Sequence, residues 1–413
     1  MYNSIIILLA ISSLFLLINA KLLKLPTSIG LLILGMLSSV ILLILKACSP
    51  DTYAHIPHIL EQLNFNYFLM QIILPFLLFA GAIHVDISEL KKQKISVFVF
   101  SIFSTLISTI VVGYLSYLAF NMIGIDLPLM YCMLLGALIS PTDPIAVLSI
   151  FKSYNVRSSL SIKVEGESLF NDGVGVVIFL TISGIIAQEG GGMEVGEIAS
   201  LFLGEVFGGI GFGLLVGWIA IKILKQIEIP KYAIQTTILI TTICYALAGH
   251  IEVSGPLAMV AAGLLIGNYL HTKAKPDIKR EISTSWEVID DVFNSMLFVL
   301  MGFQMSNLDM DVVSISAGIA MIIIVILARF ISVSIPYSII AVDKHKARFI
   351  PGLKEVTILT WSGLRGGLAF ALALSLIDAP GGEFIIFITY VVAAFSIIVQ
   401  GLSIGKLVKI LKI

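Results

Sequence analysis

The chain reads as long apolar runs separated by short polar connections. Roughly 20 apolar residues cross the hydrocarbon core of a bilayer as a helix. Runs of about that length predict thirteen spans, at 4–20, 27–46, 64–84, 95–123, 128–151, 164–187, 199–221, 232–250, 255–270, 287–305, 312–342, 353–376 and 384–405. The eleventh is long enough that tilt or an extension beyond the membrane is expected. The longest plainly polar stretches, 188–197 and 271–287, have the length of loops, and the last apolar run ends close to Ile413. The expected architecture is an all-α polytopic membrane protein forming one transmembrane unit, with no soluble domain and no regulatory tail.

Two spans are interrupted. The fifth contains Ser140-Pro141-Thr142-Asp143-Pro144. Each proline lacks an N–H and leaves the carbonyl four residues back, on Ala137 and Ser140, without its helical partner. The twelfth contains Trp361-Ser362-Gly363-Leu364-Arg365-Gly366-Gly367, whose glycines weaken the helix at comparable depth. Freed backbone groups inside a membrane are tolerated only where they are buried in protein or line a cavity. One such segment alone means little, because proline and glycine are common in membrane helices. Two in matching positions, seven spans apart and in opposite senses, are the pattern of an inverted-repeat secondary transporter with its site near the midplane.

Composition and charge agree with this architecture. Hydrophobic residues are 58% of the chain and charged residues 12%, with a mean hydropathy of +1.05; a soluble domain carries about a quarter charged residues. All but Lys46, Arg329 and Arg365 of the 25 Lys and Arg fall in alternate connections or at the C-terminus, from Lys21 and Lys24 to Lys406, Lys409 and Lys412. The opposite connections carry acids such as Asp51, Asp126, Glu189, Glu252, Asp309 and Glu383. The positive-inside rule then places the N-terminus outside and the C-terminus in the cytoplasm of a multi-pass cell-membrane protein. The first run lacks a basic leader and a cleavage site, so no signal peptide is expected. Cys48, Cys132 and Cys244 are too scattered for a disulfide framework or a zinc site. No cofactor and no nucleic-acid partner is expected.

Four ionisable residues, Asp143, Glu167, Asp172 and Arg365, sit inside stretches that otherwise read as lipid-soluble. A charge at bilayer depth costs at least a few kcal/mol, so such groups face a polar pathway or one another. Each helical residue advances about 100°. From Asp172, Ser168 lies about 40° round and Glu165 about 20°, whereas Asn171 is about 100° and Glu167 about 140° away. Asp172 and Ser168 can therefore ligate one ion, with Thr142 or Asp143 approaching from the broken fifth span. Glu167 needs its own partner, and Arg365 is the expected one, as a structural or gating pair; Asp143 is an alternative partner for Arg365, or orients Asn171. A carboxylate out of water favours its protonated form, and a bound cation favours the ionised form. Proton and cation would compete for Asp172, and reorientation of the occupied site alone would couple the two gradients. The ligands are all oxygen, which suits an alkali ion.

Ser-Pro-Thr-Asp-Pro (140–144), Glu-Ser-Leu-Phe-Asn-Asp-Gly (167–173) and Gly-Leu-Arg-Gly-Gly (363–367) resemble the signature segments of the monovalent cation/proton antiporters, in the branch of NhaP-type sodium/proton exchangers. The resemblance runs over nearly the whole chain. It implies a homodimer whose core domain, holding spans five, six and twelve, moves like an elevator against a dimerisation domain. It implies sodium ligation by Asp172, Ser168 and the backbone around Thr142, with Asn171 in support, and a Glu167–Arg365 pair. One position departs: many relatives carry a glutamate where Ala80 ends Leu74-Pro75-Phe76-Leu77-Leu78-Phe79-Ala80, and alanine neither ligates a cation nor carries a proton.

Sodium or lithium exchange for protons is the leading expectation, with potassium/proton exchange and then a cation channel as alternatives. With one shared carboxylate, exchange is expected to be electroneutral. No nucleophile–base arrangement or metal motif marks an enzyme. Asp290, Asp291 and Asn294 are read as the start of the tenth span, where acids suit a helix N-terminus, with a cytoplasmic funnel as the alternative. Arg329 is read as a member of a structural ion pair, and the glycines of 204–217 as close-packing positions.

Overall fold

The computed structural model describes residues 2–48, 65–92, 97–187, 195–303, 311–341, 353–377 and 379–411. Charged residues read above as topology markers at 49–64, 93–96, 188–194, 304–310, 342–352, 378 and 412 lie outside them. All regular structure among the described residues is helical. In order the helices are α1 (Tyr2–Ile18), α2 (Thr27–Cys48), α3 (Leu74–His84), α4 (Ser104–Ile123), α5 (Leu129–Ile139), α6 (Ile145–Ser153), α7 (Ser158–Ala187), α8 (Val195–Leu224), α9 (Pro230–His250) and α10 (Gly255–Thr272). Then follow α11 (Pro276–Phe303), α12 (Val312–Ala341), α13 (Leu353–Trp361), α14 (Gly367–Leu374), α15 (Gly382–Phe395) and α16 (Gly401–Leu411). Short helical turns at Phe65–Phe68 and Ile87–Lys92 flank α3, and π-helical turns at Leu69–Ile73, Val99–Phe103 and Ser396–Gln400 run into α3, α4 and α16. Each interval expected to span falls on helix in the described residues, the fifth and twelfth on two helices with a break between, and eight helical stretches among the described residues are long and apolar enough to cross a membrane.

Side-chain size sets how closely the helices approach. Gly209, Gly213 and Gly217 recur every four residues on α8 and lie against Ser254, Ala258 and Ala262 of the α10 segment, which repeat with the same spacing. A side chain at Gly213 would meet the Ala258 carbonyl. The small residues thus act as the packing stripe expected of them.

The segment 271–287 departs from its expected loop. Helix α11 begins at Pro276, with proline in its first turn and Asp277 beside it, both favourable at a helix start. Ile278, Ile282 and Trp286 follow at four-residue intervals and are all buried, so the signal for an amphipathic first half was present in the sequence. Trp286 packs against Phe76 and Phe79 with ring centroids 5.7 and 4.5 Å away. Its Nε1–H donates to Thr237 Oγ1 at 2.9 Å, which ties α11 to α3 and α9.

The two expected interruptions are both present. Helix α5 stops at Ile139 and α6 starts at Ile145; α13 stops at Trp361 and α14 starts at Gly367. The breaks meet, and the Asp143 N–H donates to the Leu364 carbonyl at 2.8 Å. A side chain at Gly366 would strike the Asp143 carboxylate, so only glycine permits this approach.

Candidate functional site

Helix α7 holds the first break by its side chains. Asn171 Nδ2 donates to Thr142 Oγ1 at 2.9 Å, and the Thr142 N–H donates to Asn171 Oδ1 at 3.3 Å. The Ser168 hydroxyl donates to the Thr142 carbonyl. The second break is held in a related way by the helix that follows it. The Arg365 N–H donates to Ser396 Oγ at 2.9 Å, and Ser396 in turn donates to Gln400 Oε1 at 2.6 Å. Both latter residues belong to the π-helical turn before α16.

Arg365 replaces one helical hydrogen bond that a proline removed and a second lost at the break. Its Nη1 donates to the carbonyls of Ser140, at 2.7 Å, and Pro141, at 3.1 Å. The Ser140 carbonyl is one of the two freed by proline in the sequence. The Ile145 N–H, which an unbroken helix would have directed to Pro141, donates to Asp143 Oδ1 at 2.9 Å. Asp143 therefore starts α6, and Arg365 is 1% exposed behind the crossing.

The expected Glu167–Arg365 pair is not formed. Glu167 is bonded by Arg329 of α12, with Nη1 2.5 Å from Oε1 and the two residues 2% and 5% exposed. Arg329 Nε also donates to the Leu359 carbonyl at 3.3 Å, in the last turn of α13 before the break. The physical reason lies in the helical wheel. Glu167 points away from the face that meets the crossing, towards α12, while the Arg365 Nη1 is engaged by carbonyls. Arg329 does belong to a structural ion pair, as a guanidinium inside an apolar run requires; what the sequence did not show was that its partner is Glu167.

The opposite face of α7 opens on a cavity of about 240 Å³. Asp172, Ser168 and Glu165 all line it, as their shared helical face requires, and Thr142 and Asp143 line it from the break. Asp172 has no ion-pair partner among the described residues, and Asp143 lies close enough for their charges to interact. Carboxylate, hydroxyl and carbonyl oxygens thus converge on one space, a donor set suited to a hard cation. Ala80 lines the same cavity from α3 without offering a ligand. Asp290 and Asn294, one turn apart on α11, face it as well. They lie about four turns into α11, so the reading of Asp290 as a helix N-terminus is overturned; they are cavity-wall residues.

The family described as sodium/hydrogen exchanger, transmembrane, matches residues 7–410. The chain is 37% identical over 402 residues to the Na(+)/H(+) antiporter NhaP of Pseudomonas aeruginosa, covering 97% of this chain and 94% of that protein. It is 32% identical over 417 residues to the Na(+)/H(+) antiporter NhaH of Halobacillus aidingensis, covering 99% and 97%. Among solved structures, the sodium proton antiporter MjNhaP1 from Methanocaldococcus jannaschii matches with a TM-score of 0.74 over 97% of this chain and 96% of that one. At 22% identity, that likeness speaks for the fold.

Proposed function

The chain belongs to the transmembrane sodium/hydrogen exchanger family, and we propose that it exchanges sodium or lithium for protons across the cell membrane, both competing for Asp172. The observation that carries this reading is Asp172 itself: a carboxylate without an ion-pair partner among the described residues, on a cavity wall shared with Ser168 and Thr142 at the crossing of two broken helices. A dehydrated sodium ion would take the Asp172 carboxylate, the Ser168 and Thr142 hydroxyls and carbonyl oxygen of the break in place of water. Asn171 fixes Thr142, and Arg365 fixes the carbonyls behind it.

Charge at the crossing supplies the coupling. Arg329 and Arg365 face Glu167, Asp143 and Asp172, which leaves one net negative charge. One sodium ion or one proton on Asp172 cancels it. An unneutralised carboxylate is costly to carry through a low-dielectric barrier, so the loaded states reorient and the empty one does not. In this reading the interrupted helices and α7 form a moving core that slides like an elevator against a dimerisation domain in a homodimer. The N-terminus is outside and the C-terminus cytoplasmic.

One charge in for one charge out makes exchange electroneutral. In proteoliposomes with potassium and valinomycin setting the membrane potential, sodium-driven proton movement is expected at the same rate at every potential. A rate that follows the voltage would mean that a further proton moves, on Asp143, Glu165 or Asp290. Lithium and potassium in the same vesicles rank selectivity, and current without proton exchange would indicate a channel.

A further inference from the structure

We propose that His84 is a proton-transfer residue, relaying protons between surface water and Asp172; this rests on the exchange reading above. His84 is the last residue of α3, one turn beyond Ala80. It lines the cavity that contains Asp172, and it also lines a second, more open groove formed with Lys279, Arg280, Ser283 and Glu287 of α11. Among the described residues, His84 alone lines both. Its Nε2 is buried and has no hydrogen-bond partner among the described residues, so an unpaired donor–acceptor atom lies where the two spaces adjoin.

The chemistry matches the position. An imidazole ordinarily titrates near neutrality and can accept a proton on one side and release it on the other. Alanine at position 80 leaves α3 without a carboxylate at the cavity wall, so the nearest proton-bearing group of α3 is His84. Charged and titratable groups face it from the surrounding elements: Lys279, Arg280, Glu287 and Asp290 from α11, His271 from α10 and Glu165 from α7. Helix α9, also against α3, contributes the apolar Ala233, Ile234 and Ile238 there. In the relay, imidazolium Nε2–H releases its proton through cavity water to an Asp172 oxygen, and the neutral ring regains one from the groove. The return step runs the same transfers backwards when sodium displaces the proton from Asp172.

The test separates proton transfer from structure by comparing two transport modes of the full-length protein in proteoliposomes. His84→Gln keeps the size and a hydrogen-bonding head but does not titrate. Sodium/proton exchange should fall about tenfold or more near neutral pH, while exchange of labelled sodium for unlabelled sodium, which moves no proton, stays at the wild-type rate. His84→Ala should show the same split. Both modes falling together in the glutamine variant would assign His84 a structural role and overturn the proposal, and neither falling would overturn it equally. The exchange reading itself fails differently, by absence of sodium-driven proton movement in the wild type.

Discussion

Asp172→Asn is expected to abolish sodium/proton exchange and to leave the protein folded and inserted. Asparagine keeps the outline of the side chain and one acceptor oxygen, so Ser168, Asn171 and Thr142 retain the hydrogen bonds that join α7 to the broken helix. No ion pair is lost among the described residues, and removal of a charge from the cavity wall relieves repulsion with Asp143. Stability should therefore hold or rise slightly. Transport has no such substitute. The amide neither gains nor loses a proton at physiological pH, and a sodium ion bound there would leave the crossing with a net positive charge. Sodium-induced proton movement in everted vesicles gives the rate, and the melting temperature in detergent gives the control. Exchange at a wild-type rate would remove Asp172 from the carrier role.

The second large effect is on stability. Arg329→Ala strands Glu167, a carboxylate 2% exposed, and also removes the donor to the Leu359 carbonyl at the end of α13. Loss of one partner of a buried ion pair costs about 3–5 kcal/mol, because the remaining charge keeps its desolvation penalty. The detergent melting temperature should fall markedly, and Glu167→Ala in the same background should recover part of the loss. A double-mutant cycle between Arg329 and Glu167 is expected to show strong coupling, and the same cycle between Arg365 and Glu167 weak coupling. Additive losses for Arg329 and Glu167 would contradict the pairing seen at 2.5 Å.

The sequence pattern located the helices and both breaks because apolar run length and proline chemistry are local properties. The grouping of Glu165, Ser168 and Asp172 on one face was equally legible, since it depends only on helical rise and turn. What the pattern missed depended on partner choice and on where a helix begins. Glu167 had two arginines within reach of a plausible fold, and the one chosen was set by the direction of its face together with the carbonyls that occupied Arg365. Asp290 looked like a helix start because 271–287 is polar overall. Its buried Ile278, Ile282 and Trp286 form a narrow stripe that an average over the segment hides. His84 is legible in the sequence only as a histidine one turn beyond Ala80 at the end of span three; a cavity and a groove meeting at its side chain is a property of several packed helices, not of any one of them.

Competition between sodium and protons at one carboxylate is tested most directly by the sodium dependence of transport at a series of pH values. If both occupy Asp172, the sodium concentration for half-maximal exchange rises about tenfold for each pH unit of acidification once Asp172 is mostly protonated, by mass action. The rate at saturating sodium is unchanged. A half-saturating concentration that stays constant while the saturated rate falls on acidification would show that protons act at a separate site, and would contradict the shared carboxylate.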